Sequence, residues 1–188
     1  MVLAAVLITV AGAGLVWIAN VEPLLRGNTT LAINDPAAHA RHASIRGLGV
    51  SGLIETVPGL PGLTFRYLIT VRNDGRVPVT ILDAGFPPAE QGPISLHVVG
   101  AIPDLYGPGS PRGVGSGVEP FRPFSLAPGT EAGLQLDVRL SRDACYEAGT
   151  SASWYQVPIT FRLLGITRHA DVDTGVEVRI AGTAATAC

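Results

Sequence analysis

The chain has 188 residues, a length that suits one domain with an appended segment. Only 15% of the residues are charged and the formal net charge is −2, so the chain lacks the basic surface that nucleic-acid-binding proteins use. The 23 glycines and 15 prolines favour short strands joined by turns over long helices. These values exclude a nucleic-acid partner and favour a mainly β domain.

Residues 2–19 contain no charged side chain and predict a transmembrane helix. These eighteen residues would span about 27 Å as a helix, close to the ~30 Å of a bilayer core. Trp17 lies near one end, where an indole ring suits the membrane interface. We therefore interpret residues 1–20 as a membrane anchor. The alternatives are a cleaved signal peptide, for which Ala11–Ala13 resembles a cleavage site, and a buried core helix.

Residues 21–44 follow as a tether, in which residues 29–34 suggest a first strand. His39 and His42 have a spacing that would place both imidazoles on one face of a helical turn. Imidazole binds Cu(II) and Zn(II) well, so a copper site at these histidines is the alternative to two solvated tether residues. No other cofactor is expected, and the pair lacks the glutamate of the metalloprotease H-E-x-x-H motif.

From residue 45 onward the pattern is that of β-strands. Phe65, Tyr67, Ile69 and Val71 alternate with other residues and predict a half-buried strand over 63–71. The Asn-Asp-Gly sequence at 73–75 predicts a turn. Further strands are predicted at 77–84, 93–99, 121–126, 131–140, 154–164 and 175–180. Seven or eight such strands without an amphipathic helix predict an antiparallel β-sandwich.

The segment 103–122 is the strongest candidate for a binding surface. It begins with a long stretch rich in glycine and proline, and loops beyond about 12–15 residues are uncommon unless they are functional or disordered. Tyr106, Arg112, Phe121 and Arg122 are of types enriched at protein interfaces. We predict an interaction loop here, with a plain connection between strands as the alternative.

Cys145 and Cys188 are the only cysteines, and neither belongs to a CxxC pair or a zinc-ligand pattern. We predict a disulfide between them, which would close a loop of about 43 residues and stabilise the fold by ~4 kcal/mol. Two free thiols in a cytosolic protein are the alternative, although a terminal thiol is prone to oxidation there.

A disulfide favours an oxidising compartment, and so places the C-terminal domain outside the cytoplasm. Arg26, Arg41 and Arg46 follow the apolar segment and argue for the opposite orientation. They count for less, because long domains cross the membrane largely regardless of charge. We therefore expect a single-pass protein of the cell membrane with an outward-facing domain.

Motifs for catalysis are missing from the sequence. Residues 49–52 read Gly-Val-Ser-Gly and depart from the G-x-S-x-G nucleophile pattern, and no phosphate-binding glycine loop precedes a helix signal. His97 alternates with apolar neighbours and is predicted on the polar face of a strand, in a structural role. We predict a non-catalytic protein, with an enzyme of unrecognised type as the alternative.

Three segments carry a resemblance to a known group. Residues 65–81 (FRYLITVRNDGRVPVTI) resemble the strand-turn-strand of bacterial immunoglobulin-like modules, residues 124–138 (FSLAPGTEAGLQLDV) resemble their LxPGxxxxLxV segment, and residues 155–169 continue the pattern. With the apolar N-terminus and two late cysteines, the chain is similar to membrane-anchored actinobacterial proteins that carry such a domain.

The resemblance covers roughly residues 63–188 and implies an immunoglobulin-like β-sandwich of seven or eight strands. With the strand pattern from residue 45 onward, we predict this domain over residues 45–188, preceded by one N-terminal transmembrane helix. It implies no activity, because immunoglobulin-like sandwiches serve many functions. The expected function is a non-catalytic, extracytoplasmic binding or structural module, an accessory subunit that contacts another envelope or membrane protein.

Overall fold

The computed structural model describes Gly14 and residues 25–28, 41–47, 50–86, 94–106, 117–143 and 146–183. Within these ranges the chain is mainly β, as predicted, and forms eleven strands. They are β1 (Leu25–Asn28), β2 (Arg41–Gly47), β3 (Val50–Gly59), β4 (Thr64–Asn73), β5 (Val79–Phe86), β6 (Ile94–Ile102), β7 (Glu119–Pro120), β8 (Phe124–Leu126), β9 (Glu131–Leu140), β10 (Ser151–Leu163) and β11 (Ile166–Gly182).

Of the predicted anchor, residues 1–20, the structure describes Gly14 alone, so that prediction lies outside the described residues. The first strand suggested at residues 29–34 lies outside them as well. Strand β1 and the first part of β2 fall within the predicted tether, residues 21–44. Across the described ranges, no helix has the length and apolar character needed to cross a bilayer.

The strands form one curled mixed sheet in the order β1-β4-β9-β6-β5-β10-β11-β3-β2, with β7 beside β6 and β8 beside β5. Strand β3 runs parallel to β11, with Leu53 opposite Val176. The prediction of purely antiparallel pairing is therefore wrong for this pair. A parallel pair needs a long connection rather than a hairpin, and here β4 to β10 lie between the two strands in the sequence.

Strand β5 joins the two halves of the sheet, which are β1-β4-β9-β6 on one side and β10-β11-β3-β2 on the other. Its first residues pair with β8 on one side and β10 on the other, whereas Gly85 and Phe86 pair with β6. Gly85 has φ +127°, and a Cβ atom at this position would overlap the carbonyl oxygen of Leu96. Only glycine combines this backbone conformation with so close an approach. The glycine therefore allows one strand to pass from β10 to β6 and to curl the sheet.

The core lies between these halves and contains the alternating side chains predicted for β4, although Leu68 and Thr70 on the opposite face of β4 are buried too, so this strand is more than half-buried. Phe65, Tyr67, Ile69 and Val71 of β4 are all buried. They share one cluster with Leu96 and Val98 of β6, with Leu134, Leu136, Val138 and Leu140 of β9, with Val157, Ile159, Phe161 and Leu163 of β10, and with Val172, Val178 and Ile180 of β11. Burial of these apolar side chains is the main contribution to stability.

The sequence predicts β9 with its observed bounds, but underestimates β11, which begins at Ile166 rather than at residue 175. Residues 166–171 of β11 are exposed or half-buried, so their sequence lacks the apolar alternation of a core strand. Their backbone nevertheless pairs with β10 through the whole hairpin. These residues therefore form a strand because their backbone pairs with β10, and not because their own sequence alternates between apolar and polar residues.

The predicted turn at residues 73–75 is present and depends on the side chain of Asn73. Its Oδ1 accepts from the amide of Gly75, and its Nδ2 donates to the carbonyl oxygens of Val77 at 2.9 Å and Leu126 at 3.0 Å. The residue is fully buried, and these bonds satisfy its amide. Asn73 thus ties the end of β4 to the end of β8.

Candidate interaction site

The segment from β7 to β8 leads from a strand paired with β6 to a strand paired with β5. Pro120 lies opposite Gly100 of β6, and Leu126 lies opposite Val79 of β5. Proline cannot donate a backbone hydrogen bond, so Pro120 and Pro123 interrupt strand pairing between these two points. Strands β7 and β8 are accordingly only two and three residues long.

A groove of about 370 Å³, partly open to solvent, lies along this crossing segment. Its lining is composed of three prolines, one aromatic ring, one small apolar side chain and two charged side chains: Ala101, Pro103, Glu119, Pro120, Arg122, Pro123 and Phe124. The apolar lining can hold an apolar side chain of a partner, while Glu119 and Arg122 present opposite charges beside it. The proline rings fix the backbone, which lowers the entropy lost when a partner binds.

Two aromatic rings hold the crossing segment against the body of the domain. The rings of Phe121 and Phe124 meet edge to face, with centroids 6.4 Å apart and planes at 74°. Both side chains are half-buried and pack against the core. The amide of Phe121 also donates to the carbonyl oxygen of Val99 at 3.0 Å. The lining is therefore held in place before any partner binds.

The structure brings part of the predicted interaction loop to this groove. Arg122 lines it and is exposed, whereas the Phe121 side chain packs inward beside Phe124. Tyr106 lies three residues beyond Pro103 and is 72% exposed, and the amide of the preceding residue, Leu105, donates to the carbonyl oxygen of Glu131. Arg112 lies outside the described residues.

The predicted segment 103–122 contains four of the seven lining residues, but only Arg122 among them is predicted individually. Pro103, Glu119, Pro120 and Pro123 all belong to the groove, and none was singled out in the sequence. The glycines and prolines of this segment predict a loop instead. The missed signal is the pair of Pro-Phe steps at 120–121 and 123–124, separated by Arg122, which is typical of a rigid surface rather than a flexible connection.

The structure also bears on the proposed histidine pair. His42 lies in β2, opposite Glu55 of β3. The expectation of a helical turn is wrong at this residue, because residues 41–47 pair as an extended strand with β3. His39 lies outside the described residues. In the part of the chain that the structure describes, no group of three or more His, Cys, Asp or Glu side chains is placed to hold a metal ion.

Both cysteines of the predicted disulfide, Cys145 and Cys188, lie outside the described residues. The segment that leads to Cys188 is described as far as Thr183, whose amide donates to the carbonyl oxygen of Tyr146 at 2.9 Å. Backbone hydrogen bonding thus joins the end of β11 to the residue that follows Cys145. The disulfide itself stays a prediction.

Comparison with known proteins gives no family for the chain. A scan against protein-family models finds no match, and a search of curated proteins finds none either. Among solved structures, the chain is similar to a family 123 glycoside hydrolase from Clostridium perfringens, described for its hydrolysis of glycolipid glycans. The sequence identity is 12%, the alignment covers 69% of this chain but only 23% of the hydrolase, and the TM-score is 0.34. A likeness of this size carries no argument about activity.

Proposed function

We propose that the chain is a non-catalytic binding module that contacts another protein of the cell envelope through the groove between β7 and β8. The observation that carries the proposal is the groove itself: a fixed apolar lining with one acidic and one basic side chain. Preformed apolar surfaces with few, well-placed polar groups are typical of recognition sites.

The occupant that fits this lining is an extended protein segment. Its apolar side chain would pack against the prolines and Phe124, a basic group would pair with Glu119, and an acidic group would pair with Arg122. The exposed Tyr106 would extend the contact, since tyrosine offers a large contact area for little conformational entropy. Such opposite charges favour one orientation of the segment over the other.

We also propose the surroundings in which this module works. Residues 1–20 would hold it at the outer face of the membrane as a single-pass anchor, as their uncharged sequence suggests. The sheet would form an immunoglobulin-like sandwich of the kind found in the anchored actinobacterial proteins that the sequence resembles. A shared core between β4-β9-β6 and β5-β10-β11 is in line with that arrangement.

Site-specific photocrosslinking in the native host tests the proposal. A benzophenone amino acid would replace Arg122 or Tyr106 in the full chain, and Thr167, exposed on β11, would serve as the matched control position. We expect a discrete protein adduct from positions 122 and 106 and none from position 167. Adducts of equal yield at all three positions, or at none, would contradict a binding function for the groove.

The charges of the groove provide a second test. Exchanging them in the double variant Glu119→Arg/Arg122→Glu keeps the net charge and leaves the apolar lining intact. We expect the adduct formed from position 106 to fall about tenfold, which corresponds to ~1.4 kcal/mol of binding free energy. Both side chains are exposed, so the unfolding midpoint of the double variant should match that of the unmodified chain.

A further inference from the structure

The outer face of β4, β9 and β6 carries a second group of polar side chains, away from the core. In the sheet register, Asp137 of β9 lies directly between Arg66 of β4 and His97 of β6. Arg139, two residues further along β9, lies on the same face. Three side chains able to carry positive charge thus surround one carboxylate.

The contacts within this cluster are specific. Arg66 Nε donates to Asp137 Oδ1 at 3.2 Å, and Arg139 Nε donates to Oδ2 at 2.7 Å. His97 Nε2 lies 3.8 Å from the same Oδ2. Each carboxylate oxygen therefore accepts from one guanidinium, and both guanidiniums are bound to the same carboxylate. Burial alone would raise the pKa of Asp137, but its hydrogen bonds to Arg139 and Arg66 outweigh this and hold the pKa below its usual value.

The residues of the cluster differ in exposure: the aspartate is buried, and the two arginines face solvent. The Asp137 side chain is only 6% exposed, whereas those of Arg66 and Arg139 are 57% and 59% exposed. In the described part of the chain, no hydrogen bond occupies the terminal Nη atoms of either arginine. Each guanidinium thus turns its Nε to the buried carboxylate and keeps four N–H donors for a ligand.

Charge and flanking groups indicate what that ligand is. Two arginines against one aspartate leave a net charge of +1. Thr64 and Ser95 lie opposite Arg139 on either side and add hydroxyl donors. The next acidic residue along β9, Glu131, is six positions from Asp137, roughly 20 Å along the strand, and pairs with Arg72. Neutralising Asp137 requires one arginine, and the second makes the surface attractive to an anion.

We propose that this outer face carries an oxyanion-binding site, in which Arg66 and Arg139 bind a phosphate or carboxylate group. Arginine suits this task because its planar fork of N–H donors matches both kinds of oxyanion. Asp137 is a positioning residue, and His97 flanks the bound group. The site is separate from the groove between β7 and β8 and does not depend on the function proposed for it.

The test is a titration of the full chain, held in zwitterionic nanodiscs at low ionic strength, with inorganic pyrophosphate and, separately, with citrate. Proton–nitrogen spectra of the arginine Nε–H groups report binding, and the variants Arg66→Lys and Arg139→Lys assign the two signals. We expect saturable shifts of these signals with a Kd below about 1 mM for at least one probe. The probe that binds more tightly identifies phosphate or carboxylate as the natural chemistry.

The variant R66Q/R139Q should weaken binding at least tenfold, about 1.4 kcal/mol. It leaves Asp137 buried without its partners, so R66Q/D137N/R139Q is the companion variant that removes this penalty. The matched control R162Q/R168Q lowers the net charge by the same two units on the β10–β11 hairpin and should change the Kd less than about twofold. Shifts that fail to saturate for both probes, or an equal loss in the control, would overturn the proposal.

Discussion

Trp154 of β10 donates from Nε1 to the hydroxyl oxygen of Tyr67 on β4 at 3.0 Å. The two residues are 87 positions apart in the sequence and come from opposite halves of the curled sheet. Burial raises the pKa of the Tyr67 hydroxyl well above its usual value, and the bond from Trp154 opposes this only in part. Tyr67 is therefore a neutral, buried hydroxyl that joins the two halves through one polar contact.

Removing this hydroxyl in Tyr67→Phe should lower the free energy of unfolding by about 1 kcal/mol, since a net hydrogen bond is lost while the ring stays in place. Tyr155→Phe is the control, because Tyr155 is exposed and removal of its hydroxyl should change the free energy of unfolding little. Chemical denaturation followed by tryptophan fluorescence measures both. Equal midpoints for the two variants would show that the contact contributes nothing to stability.

Asn73 should be the most sensitive polar residue of the β4–β8 junction. Asn73→Ala removes two bonds to carbonyl oxygens and one from the Gly75 amide, and leaves the Leu126 carbonyl buried without that donor. We expect a loss of about 2–4 kcal/mol, because unsatisfied buried groups add to the lost hydrogen bonds. Asp74→Ala, at an exposed position of the same turn, should cost less than about 1 kcal/mol. Thermal unfolding of both variants checks the order.

The alternation of apolar residues was enough to predict which side chains of β4 and β9 enter the core, but not that Leu68, Thr70 and Asp137 on the opposite face are buried as well. The alternation does not predict which polar side chains meet on the outer face. The sequence predicted His97 on a polar face, but Arg66 and Asp137 are 71 positions apart and meet only through the β4–β9 register. Register depends on contacts distant in the sequence, and so does the parallel pairing of β3 with β11.

The acid sensitivity of the fold should depend on Asp137. Its pKa in the folded chain lies below the usual value of about 3.9 for an unfolded aspartate, so its ion pairs contribute stability above about pH 4. That contribution is lost as the pH falls through the lower, folded pKa. Asp137→Asn should therefore be less stable than the unmodified chain at pH 7, and the difference should shrink between about pH 4 and pH 2.

Urea unfolding at a series of pH values measures this difference. Asp171→Asn is the control, since Asp171 is exposed on β11. Its stability should follow that of the unmodified chain at each pH. A gap between Asp137→Asn and the unmodified chain that stays constant down to pH 2 would contradict a role for the ionised carboxylate.

A position can require glycine because its φ is positive or because a neighbouring atom leaves no room for a Cβ. Gly85 and Gly129 distinguish these two requirements. Both have positive φ, +127° and +73°, but a Cβ at Gly85 would overlap the Leu96 carbonyl, whereas one at Gly129 would meet no atom within 4 Å. Gly129→Ala should cost about 1 kcal/mol, from the backbone conformation alone. Gly85→Ala must also separate β5 from β6, so we expect a loss of more than about 2 kcal/mol. Because β5 connects the two halves of the sheet, amide hydrogen exchange in Gly85→Ala should accelerate on β6 as well as on β5. Acceleration confined to β5 would show that β6 does not depend on this contact.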